Sequence, residues 1–204
     1  KPYKDEADYS TVESYSRAII NAREYIYIEN QYFSSKFLVN LLIRQLIQYR
    51  NLYLIVVVPK KIEFPIPIQD SLLVIQAPPH LEYPKEILTH LSKLNRVVVK
   101  YVQNSRRDPV YVHSKVMIVD DIYAVIGSAN FTGRGMFDQD EELGLAWVDH
   151  CDDSVRNFRI KLWAEHLDLD EDDKRLFHNR GRQLYQLWLR TRSKRLGDWA
   201  KANK

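Results

Sequence analysis

His113 and Lys115 stand two residues apart in Val112-His113-Ser114-Lys115-Val116-Met117-Ile118-Val119-Asp120, and after six intervening residues the chain reads Gly127-Ser128-Ala129-Asn130. In an extended stretch, side chains two apart share a side, so His113 and Lys115 point one way and Ser114 and Val116 the other. An imidazole beside a fixed ammonium, backed by a turn of small polar residues, suits attack on a phosphodiester. That ester carries a full negative charge and passes through a trigonal-bipyramidal state. A neutral imidazole can attack it without a metal if cations and hydrogen-bond donors hold the equatorial oxygens. On this reading His113 is the nucleophile and Lys115 binds the phosphate oxygens. Ser128 and Asn130 add donors, and Gly127 lets the backbone come close with no Cβ in the way. Asp120 sits where the strand ends and is assigned a structural task, anchoring loop amides. A lone histidine is ordinarily a hydrogen-bonded core residue; the lysine and the small-residue turn argue for chemistry here.

Composition removes several classes. At 204 residues, 45% hydrophobic and 28% charged, the chain suits one soluble globular domain with a substantial core. One cysteine, Cys151, excludes an internal disulfide framework and a zinc cluster. The six histidines are scattered and show no metal-ligand spacing, so neither a metal nor another cofactor is expected. The longest apolar run, 52–58, is far too short to span a bilayer and reads as a buried strand. The net charge of +3 hides an asymmetry. Residues 174–204 hold ten Lys/Arg and one acid, Asp198, a net of +9, while residues 1–173 hold 20 basic against 26 acidic residues, a net of −6. A body of that sign does not resemble a general nucleic-acid-binding surface, although Lys100, Arg106, Arg107 and Arg134 are available to line a cleft. The chain begins at Lys1 and shows no secretory signal. It is therefore read as a segment of something longer, and localisation is not legible in it.

The elements needed to hold the pair follow from periodicity. Ser10-Thr11-Val12-Glu13 has the form of a capping box opening a helix to about residue 24, with Val12, Tyr15, Ile19 and Ala22 at helical spacing. Residues 25–29 (YIYIE) read as a buried strand. A helix over 36–49 precedes the strand 52–58. Six of the eight prolines fall in 59–84, where regular structure cannot run uninterrupted. A helix over 85–94 leads to a strand at 96–102, and further strands are expected at 110–119, 123–126 and 143–148. Four of the six glycines lie between Gly127 and Gly144, marking the sharpest turns. Asp152 or Asp153 is expected to cap a helix to about residue 166. An acidic patch at 168–173 then separates it from a basic helical tail carrying Leu184, Leu187, Trp188, Leu196 and Trp199. This alternation predicts an α/β domain whose sheet, mostly parallel or mixed, is covered by helices on both faces.

The spacing His-x-Lys-x4-Asp followed by Gly-Ser-x-Asn resembles the HKD signature of the phospholipase D superfamily. Average residue usage puts a chance His-x-Lys-x4-Asp in roughly 1–2% of chains this long, and the Gly-Ser-Ala-Asn turn makes coincidence rarer still. Tyr27-Ile28-Glu29-Asn30-Gln31-Tyr32-Phe33 is similar to a segment in the second half of two-motif phospholipases D, where it ends a strand close to the active site. Phe158-Arg159, Trp163 and Glu165-His166-Leu167 resemble the helix that follows the motif. The likeness spans residues 9–167.

It implies a phospholipase D-like α/β/α sandwich in two parts, a catalytic half-domain over 1–167 and an acidic linker with a basic helical tail, 168–204, packed on it. It also implies a phosphohistidine at His113, substrate contacts from Asn30 and Gln31, and an acidic residue that fixes the His113 tautomer. Asp140-Glu141-Glu142-Leu143 matches that last position. Glu142 is the first candidate, since Glu141 would face oppositely once the strand has begun.

Family members need two histidines facing each other across one phosphate: one attacks, the other protonates the leaving alkoxide. This chain carries a single motif. The partner is thus the N-terminal half of the same enzyme or a second identical subunit, and the isolated monomer is expected to be inactive. The segment 29–33 leans toward phospholipid hydrolysis or transphosphatidylation at a membrane surface. Ile62, Phe64, Ile66 and Leu81 are candidates for an apolar lip or for a packed surface loop, and the basic tail with Trp188 and Trp199 for a headgroup contact or for a helix packed by its apolar stripe with its basic face in water. The same motif serves nucleases, so a homodimeric phosphodiesterase of nucleic acid is the alternative. An interaction domain that keeps only the fold would predict loss of His113 or Lys115.

Overall fold

The computed structural model describes residues 9–61, 84–137, 140–178 and 180–203. Its strands are β1 (Tyr25–Asn30), β2 (Tyr53–Val57), β3 (Val97–Val102), β4 (Lys115–Val119), β5 (Tyr123–Gly127), β6 (Gly144–Val148) and β7 (Leu196–Asp198). Its helices are α1 (Ser10–Asn21), α2 (Lys36–Gln48), α3 (Pro84–Ser92), α4 (Gly133–Met136), α5 (Ser154–Leu167), α6 (Gly181–Arg190) and α7 (Trp199–Ala202). The strands make one sheet in the order β6-β5-β4-β1-β2-β3-β7. It is mixed: β1, β2 and β3 run parallel, while β4, β5 and β6 form an antiparallel meander beyond β1 and β7 pairs antiparallel with β3.

Two apolar layers explain the sandwich. On one face, Ile26 and Ile28 of β1, Leu54 and Val56 of β2, and Met117 and Val119 of β4 pack under α1, α2 and α3. On the other, Tyr25, Tyr27, Ile55, Val57, Val116 and Ile118 pack under Trp163 of α5 and Leu184 and Trp188 of α6. All six residues of β1 are buried, as expected for a central strand covered on both sides. Each fully buried Leu or Ile contributes roughly 1.5–3 kcal/mol, so these two layers dominate the fold's stability.

The tail is part of this sandwich. α6 fills one face of the sheet and β7 closes its edge. Trp188 and Trp199 are buried in the two cores, as a tail packed by its apolar stripe requires, and neither ring is left for a headgroup contact: an amphipathic helix buries its apolar stripe and leaves only the basic face in water. Other local expectations also change. The helix cap before α1 is Tyr9 with no side-chain cap hydrogen bond, so the capping box does not form. Nor does the side chain of Asp153 cap α5. Asp149 reaches forward instead, its Oδ2 accepting from Val155 N at 3.1 Å, and Asp152 accepts from Ser154 N at 3.0 Å. β4 starts at Lys115, five residues later than expected. The suggested apolar lip, residues 62, 64, 66 and 81, lies outside the described residues. Among those described, no helix is long and apolar enough to cross a membrane.

Candidate active site

Three chain ends converge at one end of the sheet. Asn30, the last residue of β1, is the ladder partner of Lys115, the first of β4, and Gly127 closes β5 one position beyond the pair Val116 and Ile126. Ligand sites in α/β sheets favour the carboxyl end of the central strands, and β1 delivers its polar residues there.

His113 lies two residues before β4 and is exposed. Its ring stacks on Tyr111 with centroids 6.4 Å apart. Val112 and Val116 belong to the core under α5 and α6, whereas Met117 and Val119 belong to the opposite core. The alternation expected from sequence therefore holds through residues 112–117, although the ladder does not extend that far. It sets His113 and Lys115 on the α1 and α2 side. Lys115 is 5% exposed; its Nζ donates to Gln31 Oε1 at 3.1 Å and to the His113 carbonyl at 2.6 Å. Burial pulls the ammonium below the ordinary lysine value, and the charge of Glu142 works against that pull. Two of its three N–H donors meet protein acceptors.

Ser128 and Glu142 form a second cluster beside Lys115. Ser128 Oγ donates to Glu142 Oε2 and accepts from Leu143 N at 2.9 Å. Glu142 is thus held by Ser128, and among the described residues its carboxylate is not hydrogen-bonded to the His113 ring. Residues 140–143 precede β6 as coil, so strand parity does not choose between Glu141 and Glu142. Glu142 is the one turned inward: it is half-buried, while Glu141 is exposed. Asp140 pairs with Arg134. Asn130 Oδ1 is buried with no hydrogen-bond partner among the described residues. Such an orphan is costly in a dry interior, and a flipped amide would present its NH2 at the same place.

Two glycines make the cluster possible. A Cβ on Gly127 would stand 2.7 Å from Leu143 O and 2.9 Å from Gly144 Cα, so this glycine lets β6 close on β5 behind Ser128. A Cβ on Gly135 would stand 2.7 Å from Asn130 O and 3.2 Å from Glu142 Oε1. Only a glycine lets α4 sit against both.

Asn30 and Gln31, expected at the substrate, have their amides in protein contacts. Asn30 Oδ1 accepts from Phe131 N at 3.1 Å and Tyr32 N at 3.2 Å, tying the turn 129–132 to the end of β1. Gln31 accepts from Lys115 and donates to Tyr111 Oη, so one amide orients both the ammonium and the ring beneath His113. Asp120 is at the other end of β4. Its carboxylate accepts from the amides of Arg23 at 2.7 Å, Glu24 at 3.0 Å and Tyr25 at 2.7 Å. Seven residues at ~3.4 Å each put it on the order of 20 Å from His113, outside any chemistry there.

Tyr111, Gly135 and Glu29 were not singled out from sequence. Glu29 was legible in principle, since it falls two residues after Tyr27 on the same face of a buried strand and a carboxylate there must have partners.

Comparison with known proteins fits this geometry. The family model described as "Cardiolipin synthase, PLD-like domain" matches residues 15–163. The chain belongs to the phospholipase D superfamily. Among curated relatives, it is 42% identical over 79 residues to phospholipase D alpha 1 of Spuriopimpinella brachycarpa, covering 34% of this chain and 10% of that protein. It is 35% identical over 130 residues to phospholipase D alpha 1 of Ricinus communis, covering 50% of this chain and 16% of that one. The chain thus spans a small fraction of the relatives it matches. Among solved structures, a phospholipase D family member, Nuc from Salmonella typhimurium, aligns with a TM-score of 0.52 at 16% identity, covering 80% of this chain and 93% of that one. The fold is the α/β sandwich of this superfamily of phosphodiesterases.

Proposed function

We propose that this chain supplies one half of a phospholipase D active site, and that the complete protein cleaves or transfers the headgroup ester of a phospholipid. The observation that carries this reading is the meeting, at one end of the sheet, of His113, Lys115 and the Ser128 cluster with the segment that ends β1. That segment, residues 27–33, resembles the one that ends a strand near the active site in two-motif phospholipases D. A nitrogen of the exposed His113 ring attacks phosphorus, and the bond to the headgroup oxygen breaks. Lys115 and donors at the turn of residues 128–130 hold the equatorial oxygens. A second histidine, from an N-terminal half or a second subunit, gives the leaving alkoxide its proton. It then takes one from water or an alcohol, which attacks the phosphohistidine and frees His113. Glu142, with Oε2 held by Ser128, keeps Oε1 for the second imidazole nitrogen.

The test is to give the complete protein phosphatidylcholine vesicles and single-stranded DNA side by side, with ethanol added to the vesicles. Phosphatidic acid together with phosphatidylethanol is the expected result. Cleavage of DNA with vesicles untouched would replace this reading with a nuclease. No reaction on either would leave the interaction-domain reading.

A further inference from the structure

Behind the candidate nucleophile, on the α5 side of the sheet, lies a buried carboxylate and imidazole that the proposed chemistry does not use. Glu29 is 5% exposed and His166 7%. Three donors converge on the Glu29 carboxylate: His166 Nε2 at 2.8 Å and Tyr27 Oη at 2.6 Å on Oε2, and Ser114 Oγ on Oε1. Burial pushes this carboxyl up, but the hydrogen bonds from His166, Ser114 and Tyr27 and the pull of His166 outweigh it, leaving Glu29 below the ordinary glutamate value. An acceptor facing three donors is the ionised carboxylate.

A pair buried this deeply is weak evidence of stabilisation, because well-packed apolar residues in its place often do as well or better. What it touches is more telling. Ser114 is the residue between His113 and Lys115, and both it and His113 lie outside the β4 ladder, which stops at Lys115. Side-chain bonds must therefore fix residues 113 and 114. From the α1 side, Gln31 fixes Lys115, whose Nζ grips the His113 carbonyl; from the α5 side, Glu29 fixes Ser114. His166, near the end of α5, holds Glu29 in turn, and its own carbonyl accepts from Ser193 Oγ at 2.7 Å, tying the pair to the segment after α6.

We infer that Glu29, held by His166, is a positioning residue for the nucleophile, acting through Ser114 on the backbone of residues 113–115. The inference rests on the reading of His113 as nucleophile, and its test separates the two. Ser114→Ala cuts the link and leaves the pair. Glu29→Gln weakens it too, because a neutral carboxamide oxygen replaces a charged acceptor and its NH2 takes one of the two oxygen positions. Ser114→Thr keeps the hydroxyl. Amide hydrogen exchange of the 204-residue chain, followed by NMR, is the first readout. Exchange at residues 113–115 should rise about ten-fold in Ser114→Ala and in Glu29→Gln, the order expected of one lost charge-assisted hydrogen bond. It should rise no further in the double variant, stay near wild type in Ser114→Thr, and leave residues 116–119 unchanged.

In the complete protein with phosphatidylcholine vesicles, Ser114→Ala should lower kcat about ten-fold and leave KM within about two-fold, since the loss falls on alignment rather than binding. Two results overturn the inference: unchanged exchange at residues 113–115 in Ser114→Ala, or effects of Ser114→Ala and Glu29→Gln that add in the double variant. Either would mean that the pair only joins α5 to the sheet. A wild-type protein inert toward the vesicles would overturn the lipid reading, and the exchange experiment would still decide the positioning role.

Discussion

The two ends of β4 are both polar and both partly buried, yet they are built to opposite specifications. At the far end the charged groups are closed upon the protein. Asp120 takes three backbone amides. Asp121 takes Arg159 in two parallel bonds of 2.7 and 2.8 Å and Tyr25 Oη at 2.8 Å, and Arg159, fully buried, also donates to the carbonyls of Leu176 and His178. At the near end the networks stop short. The His113 ring is exposed, Lys115 has two protein acceptors for three donors, and Asn130 Oδ1 is unmatched among the described residues. Closed networks hold a fold, whereas open ones beside a fixed cation are ready for an anion. One motif thus spans both ends: its histidine and lysine stand at the open one, and its aspartate pins β1 and β4 together.

Mutation should separate these jobs. His113→Ala is expected to abolish turnover in the complete protein, a loss of at least about 10³-fold for a nucleophile, with the thermal midpoint unchanged because the side chain is exposed. Asp120→Ala should do the reverse. Three amides lose their acceptor, costing on the order of 2–3 kcal/mol, while kcat of the folded fraction stays near wild type. Urea melts alongside vesicle assays check both. A wild-type midpoint for Asp120→Ala, or turnover in His113→Ala, would erase the distinction. Arg159→Met probes the closed end further. It leaves Asp121 buried without its cation and should cost about 3–5 kcal/mol without changing KM.

A subtler change acts on the open end alone. Gly135→Ala places a methyl where Asn130 and Glu142 already stand, so the turn carrying Ser128 must shift. A displacement of about 1 Å there should cost about ten- to a hundred-fold in turnover and less than about 1.5 kcal/mol in stability, because α4 is short and partly exposed. Equal losses in both readouts would show that Gly135 serves packing rather than the site.

Much of this division was legible in the sequence. The alternation through residues 112–117 placed His113 with Lys115 because strand parity depends only on spacing, and the anchoring task of Asp120 followed from its place after a strand. The apolar periods of 12–22, 36–49 and 52–58 gave α1, α2 and β2 because burial imposes them. What escaped depends on where distant chain segments meet. Of the two caps expected, Asp152 accepts from Ser154 N, while Asp153, its backbone left-handed with φ of 56°, caps nothing and Asp149 takes Val155 N from further back. β7 is three residues long, too short for any alternation to announce it. The end of the β4 ladder, on which the role of Ser114 depends, is set by the length of β1 and not by residues 110–119 themselves.

The smallest expected effect concerns the carboxylate that belongs to neither description, buried like the closed end but placed at the open one. Glu29 titrates below its ordinary value in the folded chain, whereas an unfolded glutamate titrates near 4.3. Its ionised form therefore stabilises the fold at pH values above about 4.3, and that contribution disappears as pH falls through the lower folded value. Glu29→Gln has no such titration. The difference in urea midpoint between wild type and Glu29→Gln should accordingly be largest at pH 6 and narrow as pH is lowered to 3. A difference that widened toward acid would mean that Glu29 is protonated in the folded chain. It could not then accept from Ser114, Tyr27 and His166 together, and the near end of β4 would lose a closed network.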